Sequence, residues 1–154
     1  MVIFILISSI GIALDQILKI VFWGKSFSLL GDFLWVESAF NQGAAFGSFS
    51  GARWFFIVLA IIAVGCLIFF AIRKTFGYSQ FLMITYGLLL AGIVGNLIDR
   101  IFLAGVRDFI YFKFINFAIF NIADALITIG VVMLIVYILF LYKSPKKTGE
   151  KTND

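Results

Sequence analysis

Three aspartates and two arginines sit in a stretch that otherwise reads as hydrocarbon-soluble. From Ala91 to Gly130 the chain runs AGIVGNLIDRIFLAGVRDFIYFKFINFAIFNIADALITIG, which sets Asn96, Asp99, Arg100, Arg107, Asp108, Asn121 and Asp124 in and between two apolar segments. A carboxylate at the centre of a membrane helix costs about 2.5–3.5 kcal/mol on insertion scales, so such residues are candidates for function. Two carboxylates brought together cannot both ionise cheaply and tend to share one proton. One is then a base that can activate water. The other is an acid that can protonate a carbonyl oxygen or a leaving amine. That is the chemistry of aspartic proteolysis, and Asp108 and Asp124 are placed for it. A structural role is open for both. Asp124 lies near a helix N-terminus, where negative charge is stabilised, and Asp108 can pair with Arg107 or Arg100. Asp99 beside Arg100 reads as a structural ion pair. Asn121, three residues before Asp124, shares its helical face and can orient it or bind a substrate backbone.

Other chemistries lack their residues. With no histidine, the commonest general base and metal ligand is missing. The single cysteine, Cys66, lies in an apolar run and reads as a small buried hydrophobe. It excludes an internal disulfide or a thiolate metal cluster. No metal or other cofactor is therefore expected.

These residues must be held by membrane helices. Of 154 residues, 63% are hydrophobic and 13% charged, against roughly a quarter charged in soluble domains. Mean hydropathy is +1.13. Twenty Phe and one Pro complete the picture of a multi-span membrane protein. The net charge of +4 is no nucleic-acid signature, and no nucleic-acid partner is expected.

About 20 apolar residues cross a bilayer core, and four runs qualify: about 2–22, 53–72, 80–98 and 120–142. The first, with no basic residue before it and no small-residue cleavage site after it, reads as a retained helix. Its Asp15 and Lys19, four apart, share one face and form either an ion pair near the membrane boundary or support for a polar site. In the third, Gly87, Ala91 and Gly95 make a small-residue stripe for close helix packing. The outer segment 23–52 carries glycines, serines and alternating apolar residues that suggest short strands (FSLL, FLWVE). Trp23, Trp35 and Trp54 fit an interfacial belt. Residues 99–119 read as a polar-aromatic loop. The tail 143–154 is polar and basic, with the composition of a disordered segment.

Four spans place both termini on one side. The 73–79 turn and the tail carry Arg73, Lys74, Lys143, Lys146, Lys147 and Lys151, a denser set than Lys25, Arg53, Arg100, Arg107 and Lys113 in the longer opposite segments. By the positive-inside tendency the termini are cytoplasmic, and segments 23–52 and 99–119 lie outside. Asp124 then sits about 6 Å below the outer surface at 1.5 Å per residue, within reach of Asp108.

Four motifs occur in order between these spans: NQGAAFG at 41–47, GNLIDR at 95–100, VRDFI at 106–110 and FNIAD at 120–124. With Asp15 and Lys19 ahead of them, the chain resembles the lipoprotein signal peptidases (signal peptidase II) over all but its tail. The resemblance implies four transmembrane helices with a small extracytoplasmic β-rich cradle, in the bacterial cytoplasmic membrane. It implies an aspartic endopeptidase that removes signal peptides from diacylglyceryl-modified prolipoproteins, just before the lipidated cysteine. Its catalytic pair falls on Asp108 and Asp124. Substrate-positioning and supporting residues fall on Asn41, Asn96, Arg100 and Asn121, with Asp99, Asp15 and Lys19 in the structural shell. Leu18 stands where the family usually has Thr before the lysine. Partners are the prolipoprotein and membrane lipid, and the protein is expected to be monomeric. Phe46 and nearby apolar residues are expected to clamp the substrate. A proton-conducting channel or small transporter, or a non-catalytic assembly factor, would use the same polar residues differently. A proton pathway, however, would spread its acids over several depths.

Overall fold

The computed structural model describes residues 1–43, 51–76, 79–115 and 117–142. Four helices follow the apolar runs: α1 Val2–Phe22, α2 Arg53–Arg73, α3 Gln80–Leu103 and α4 Ile122–Val136, the last continuing as a π-helical turn over Tyr137–Leu141. Each span is long and apolar enough to cross a membrane, and helices satisfy their own backbone groups there. Phe46 and the tail from Lys143 fall outside the described residues, as does most of the 41–47 motif.

The axis of the bundle is α3, which packs against α1, α4 and α2. Its small residues Gly87, Ala91, Gly92 and Gly95 are all buried. At Gly95 an added Cβ would stand 2.6 Å from Asp15 Oδ2 and 3.2 Å from Ala123 Cβ. Only glycine lets α1, α3 and α4 meet at that level. In α1 the buried stripe is Phe4, Ser8, Gly11, Asp15 and Lys19, spaced four, three, four and four, which is one helical face. Leucines and isoleucines of α1 such as Leu6, Ile10 and Ile17 face outward. This inversion suits a helix surrounded by lipid. An apolar core of Leu67, Leu82, Met83, Tyr86, Leu89 and Tyr137 fills the half of the bundle near the α2–α3 turn.

The other end carries a three-stranded antiparallel sheet, ordered β1 (Ser26–Leu30), β2 (Leu34–Asn41), β3 (Val106–Tyr111). Both FSLL and FLWVE are in the hairpin, which turns at Gly31 with φ 52°. The third strand corrects the expectation of a loop over residues 99–119: α3 continues to Leu103, and VRDFIY is a strand. Polarity at Asp99 and Arg100 does not end the helix, because their partners lie inside the bundle. Arg53 also donates to the carbonyls of Arg100 (2.8 Å) and Ile101 (2.6 Å). Ala104, at φ 64°, stops it. β3 pairs with β2 in a register that sets Ala39 opposite Asp108 and Asn41 near the end of the ladder opposite Val106. Of the three tryptophans, Trp23 and Trp54 are exposed, but Trp35 packs on the sheet beneath Lys113, 4.1 Å from its ring.

Candidate active site

At the sheet end of the bundle, β3 delivers Asp108 and the first turn of α4 delivers Asp124. Both line an open cavity of about 550 Å³ together with Asn41, Asn96, Arg100 and the apolar Val106, Phe117, Ala125 and Ile129. Asp108 is buried and Asp124 half-buried. The loop before α4 is pinned back on β3 by bonds from Phe109 N and Ile110 N to Phe120 O and from Phe120 N to Ile110 O. This fixes Asn121 between the two acids.

Asn121 is the N-cap of α4. Its Oδ1 accepts from Asp124 N at 3.0 Å, and the Asp124 carboxylate accepts from Asn121 N at 3.2 Å. This reciprocal capping box makes Asp124 part of the helix start, as its place near an N-terminus suggested. With its oxygen so occupied, Asn121 turns its NH2 group to Asp108 Oδ1 at 2.6 Å and Asn96 Oδ1 at 3.1 Å. The same logic holds at the other two asparagines. Asn41 Oδ1 accepts from Gly43 N at 3.0 Å, so its Nδ2 donates to Asp108 Oδ2 at 3.1 Å. Asn96 Oδ1 accepts from Lys19 Nζ at 2.9 Å, so its Nδ2 donates to Asp124 Oδ1 at 2.7 Å. Each carboxylate oxygen thus receives a defined N–H.

Burial and the neighbouring Asp124 charge push the Asp108 carboxyl up to about 7, against the opposing pull of the Asn41 and Asn121 amides. A buried acid poised there can exchange a proton near neutrality.

Beneath the acids lies a fully buried ion cluster. Lys19 meets Asp15 at 2.8 Å and Asp99 at 3.7 Å. Asp15 also accepts from Ala123 N at 2.9 Å, linking α1 to the start of α4. Asp99 is held by Arg107 through Nη2 at 2.7 Å, Nε at 3.1 Å and the backbone N at 2.9 Å. The expected Asp99–Arg100 pair is therefore a misassignment: adjacent helical residues point apart, and the cation that meets Asp99 comes from β3. Asp108 likewise takes amides from Asn41 and Asn121, not the Arg107 or Arg100 that its alternative, structural reading offered. Arg100 faces the cavity, 5.0 Å from the Phe56 ring and 3.4 Å from Gly43 O.

Gln16 was not singled out from sequence. It donates to Asp15 and Gly95 O and accepts from Arg107, and its position beside Asp15 on the face toward α3 was the signal. Arg53, the cap of α3, left no signal short of the folded contact.

Residues 7–140 match the family Signal peptidase (SPase) II. The chain belongs to the signal peptidase II family. A lipoprotein signal peptidase of Geobacillus thermodenitrificans is 35% identical over 97% of this chain and 96% of its own length. One from Staphylococcus carnosus is 41% identical over 82% and 84% of the two chains. A solved structure described as a bacterial membrane enzyme, obtained by the in meso method at 2.3 Å resolution, superposes with a TM-score of 0.84 at 37% identity, covering 96% of this chain and 94% of that one. A second, at 1.9 Å resolution, gives 0.80 at 38% identity, covering 89% and 92% of the two chains. As a signal peptidase II, the protein is a bacterial membrane peptidase that processes lipoprotein signal peptides, and four helices with a small sheet are the fold expected of it.

Proposed function

We propose that the protein is an aspartic endopeptidase whose reacting groups are Asp108 and Asp124. The observation that carries the reading is the convergence of two carboxylates on one cavity, each oxygen oriented by an amide that is itself oriented. The pair shares one proton. The ionised member takes a proton from water as the water oxygen bonds to the scissile carbonyl carbon. The protonated member gives its proton to the carbonyl oxygen. Collapse of the resulting gem-diol breaks the C–N bond, and the proton taken from water goes to the leaving amine. Water is the only co-reactant, and neither metal nor cofactor enters. Arg100 and Asn41 bind the peptide backbone, while Asn96 and Asn121 orient the acids.

The substrate is a diacylglyceryl-modified prolipoprotein, cut just before the lipidated cysteine. Sheet and cavity share the end of the bundle opposite the basic 73–79 turn. With the termini cytoplasmic, that end lies at the outer face of the cytoplasmic membrane, where a signal helix ends. The apolar wall of Ala125, Ile129 and Phe117 lets the acyl chains stay in lipid while the peptide reaches the acids. The protein works as a monomer, with spans at 2–22, 53–72, 80–98 and 120–142, outer segments 23–52 and 99–119, and a basic tail from residue 143. The exposed apolar faces of α2 and α4 are turned to lipid.

The test is cleavage of purified diacylglyceryl-prolipoprotein in detergent with a chelator present, comparing wild type, Asp108→Asn and Asp124→Asn, with unmodified precursor as control. Cleavage by wild type alone, and only of lipidated substrate, is expected. Asn variants that cut as fast as wild type would remove the pair from the chemistry.

A further inference from the structure

Lys19 is charged, fully buried and does not line the cavity, yet it touches the chain of amides that reaches the acids. Its three ammonium protons have three acceptors: Asp15 Oδ2 at 2.8 Å, Asn96 Oδ1 at 2.9 Å and Gly95 O at 3.4 Å. Asp99, 3.7 Å away, is already held by three N–H groups of Arg107, so Lys19 is not needed there as its main counter-ion. A buried ion pair serving stability alone is replaceable by apolar residues at little loss. The contact with Asn96 gives this one another use.

We infer that Lys19 is a positioning residue for the acid pair, holding the Asn96 amide with Nδ2 toward Asp124 and supplying the buried positive charge that favours the pair's anion. This rests on the aspartic reading of Asp108 and Asp124. An asparagine amide has nearly the same shape after a half-turn that exchanges O and N. At Asn96 the half-turn would set Oδ1 against Asp124 Oδ1 and NH2 against the ammonium. Lys19 and the Asn121 amide, both donating to Asn96 Oδ1, forbid it. Lys19 thereby reads out at Asp124 although it never touches the carboxylate. The charged groups around it are Asp15 on its own helix, Asp99 and Arg100 on α3, Arg107 and Asp108 on β3, and Asp124 on α4. Gly95 completes the arrangement: a side chain there would meet Asp15 Oδ2, the oxygen that Lys19 binds.

The experiment compares wild type, Asp15→Asn and the Asp15→Asn/Lys19→Met pair in the cleavage assay across pH. The double variant removes cation and anion together, and the amide introduced at position 15 retains an oxygen for Ala123 N. It is expected to keep KM within about threefold and lose about 10–100-fold in kcat, the scale of loss when a reacting group is held slightly out of place. Against Asp15→Asn, from which it differs only in the lost ammonium, the acid limb of its kcat profile should move up by about one pH unit, because an anion without its nearby cation takes a proton more readily. Asp15→Asn alone, with the ammonium in place and one anion fewer beside the pair, does not move the acid limb up. A folded double variant whose kcat and acid limb match those of Asp15→Asn overturns the inference while leaving the aspartic reading intact. Wild type that cuts nothing, or active Asp→Asn variants at positions 108 and 124, would instead sink that reading. If the double variant does not fold, wild-type protein labelled with ¹⁵N-asparagine decides. The Asn96 side-chain resonance, assigned by its loss in Asn96→Ala, should titrate with the acid pair, and a resonance flat across pH overturns the assignment.

Discussion

Asn121 performs two tasks with two ends of one amide, and a pair of substitutions separates them. Its oxygen caps α4 through Asp124 N, and its NH2 group donates to Asp108 Oδ1 at 2.6 Å. Asn121→Ser keeps a good N-cap oxygen and loses the NH2 group, whereas Asn121→Ala loses both. Loss of an N-cap costs about 0.5–2 kcal/mol, so the alanine variant should unfold at clearly lower temperature than the serine variant. Loss of a hydrogen bond to a charged group is worth about 1.5–3 kcal/mol. At about 1.36 kcal/mol per pK unit, that raises the Asp108 carboxyl by about one to two units, above the value near 7 it already has. The sign follows from the donor: an N–H favours the ionised oxygen, so its loss favours the acid. In both variants the basic limb of the cleavage profile, where the last shared proton leaves, therefore moves to higher pH by a similar amount. Thermal unfolding in detergent and cleavage rate between about pH 5 and pH 10, a window that spans the shifted limb, are the measurements. Serine and alanine variants equally unstable, or a serine variant with the wild-type basic limb, would refute the division of the amide into cap and donor.

Asp108, raised from 3.8 to about 7 in the folded protein, contributes stability that is full below 3.8 and is lost as pH rises to about 7. The melting temperature of wild type relative to Asp108→Asn should accordingly fall between about pH 4 and pH 7 and level off above. Gly95→Ala pushes a methyl group against Asp15 Oδ2 and Ala123 Cβ. It should lower stability by about 1–3 kcal/mol, the usual range for overpacking, and reduce kcat with it. Among the described residues no three Cys, Asp or Glu gather in a metal-binding group, so EDTA should leave the cleavage rate unchanged. Cys66, read from its apolar run as a small buried hydrophobe, is instead exposed on the outer face of α2, away from the cavity-lining residues, and Cys66→Ala should match wild type in rate and melting temperature.

What could be read from sequence divides along a physical line. The spans were legible because hydrophobic length is a local property, and α1 and α2 begin where the apolar runs do. The Asp15–Lys19 pair was legible because a spacing of four fixes neighbours on a helix, whereas Asn121, expected on the helical face of Asp124, is the extended N-cap (φ −132°) and meets Asp124 through a capping box instead. The end of α3 was not, since Asp99 and Arg100 look like a helix terminus until their partners are known, and those come from β3, α1 and α2. The strand VRDFIY was hidden for the same reason. An alternation of only six residues says little until β2 lies beside it. Arg107 was the hardest to place, because its neighbour in sequence, Asp108, is the obvious carboxylate. In a strand successive side chains point to opposite faces, so Arg107 turns into the bundle toward Asp99 while Asp108 turns to the cavity.

Charge balance ties the buried cluster to the acid pair. Ions can be buried when they are paired and hydrogen-bonded, so the buried charges near the cavity should sum to zero. Lys19 and Arg107 are matched by Asp15 and Asp99 through the contacts at 2.8 and 2.7 Å, and that set is neutral by itself. What remains is Arg100, which feels both Asp124 and Asp108, and the two acids. With both acids ionised, the remainder carries one uncompensated negative charge. With both protonated, it carries one positive charge. A single shared proton leaves it neutral, the state an aspartic mechanism requires at rest. Arg100 therefore has a use even before it touches a substrate. Arg100→Gln should favour a second proton on the pair and so raise the acid limb of the cleavage profile, even with a peptide too short to reach Arg100. Arg100→Lys, which keeps the charge and loses the planar fork, should leave the acid limb in place and weaken binding alone. An acid limb that ignores the charge at position 100 would show that the pair's proton count is set elsewhere.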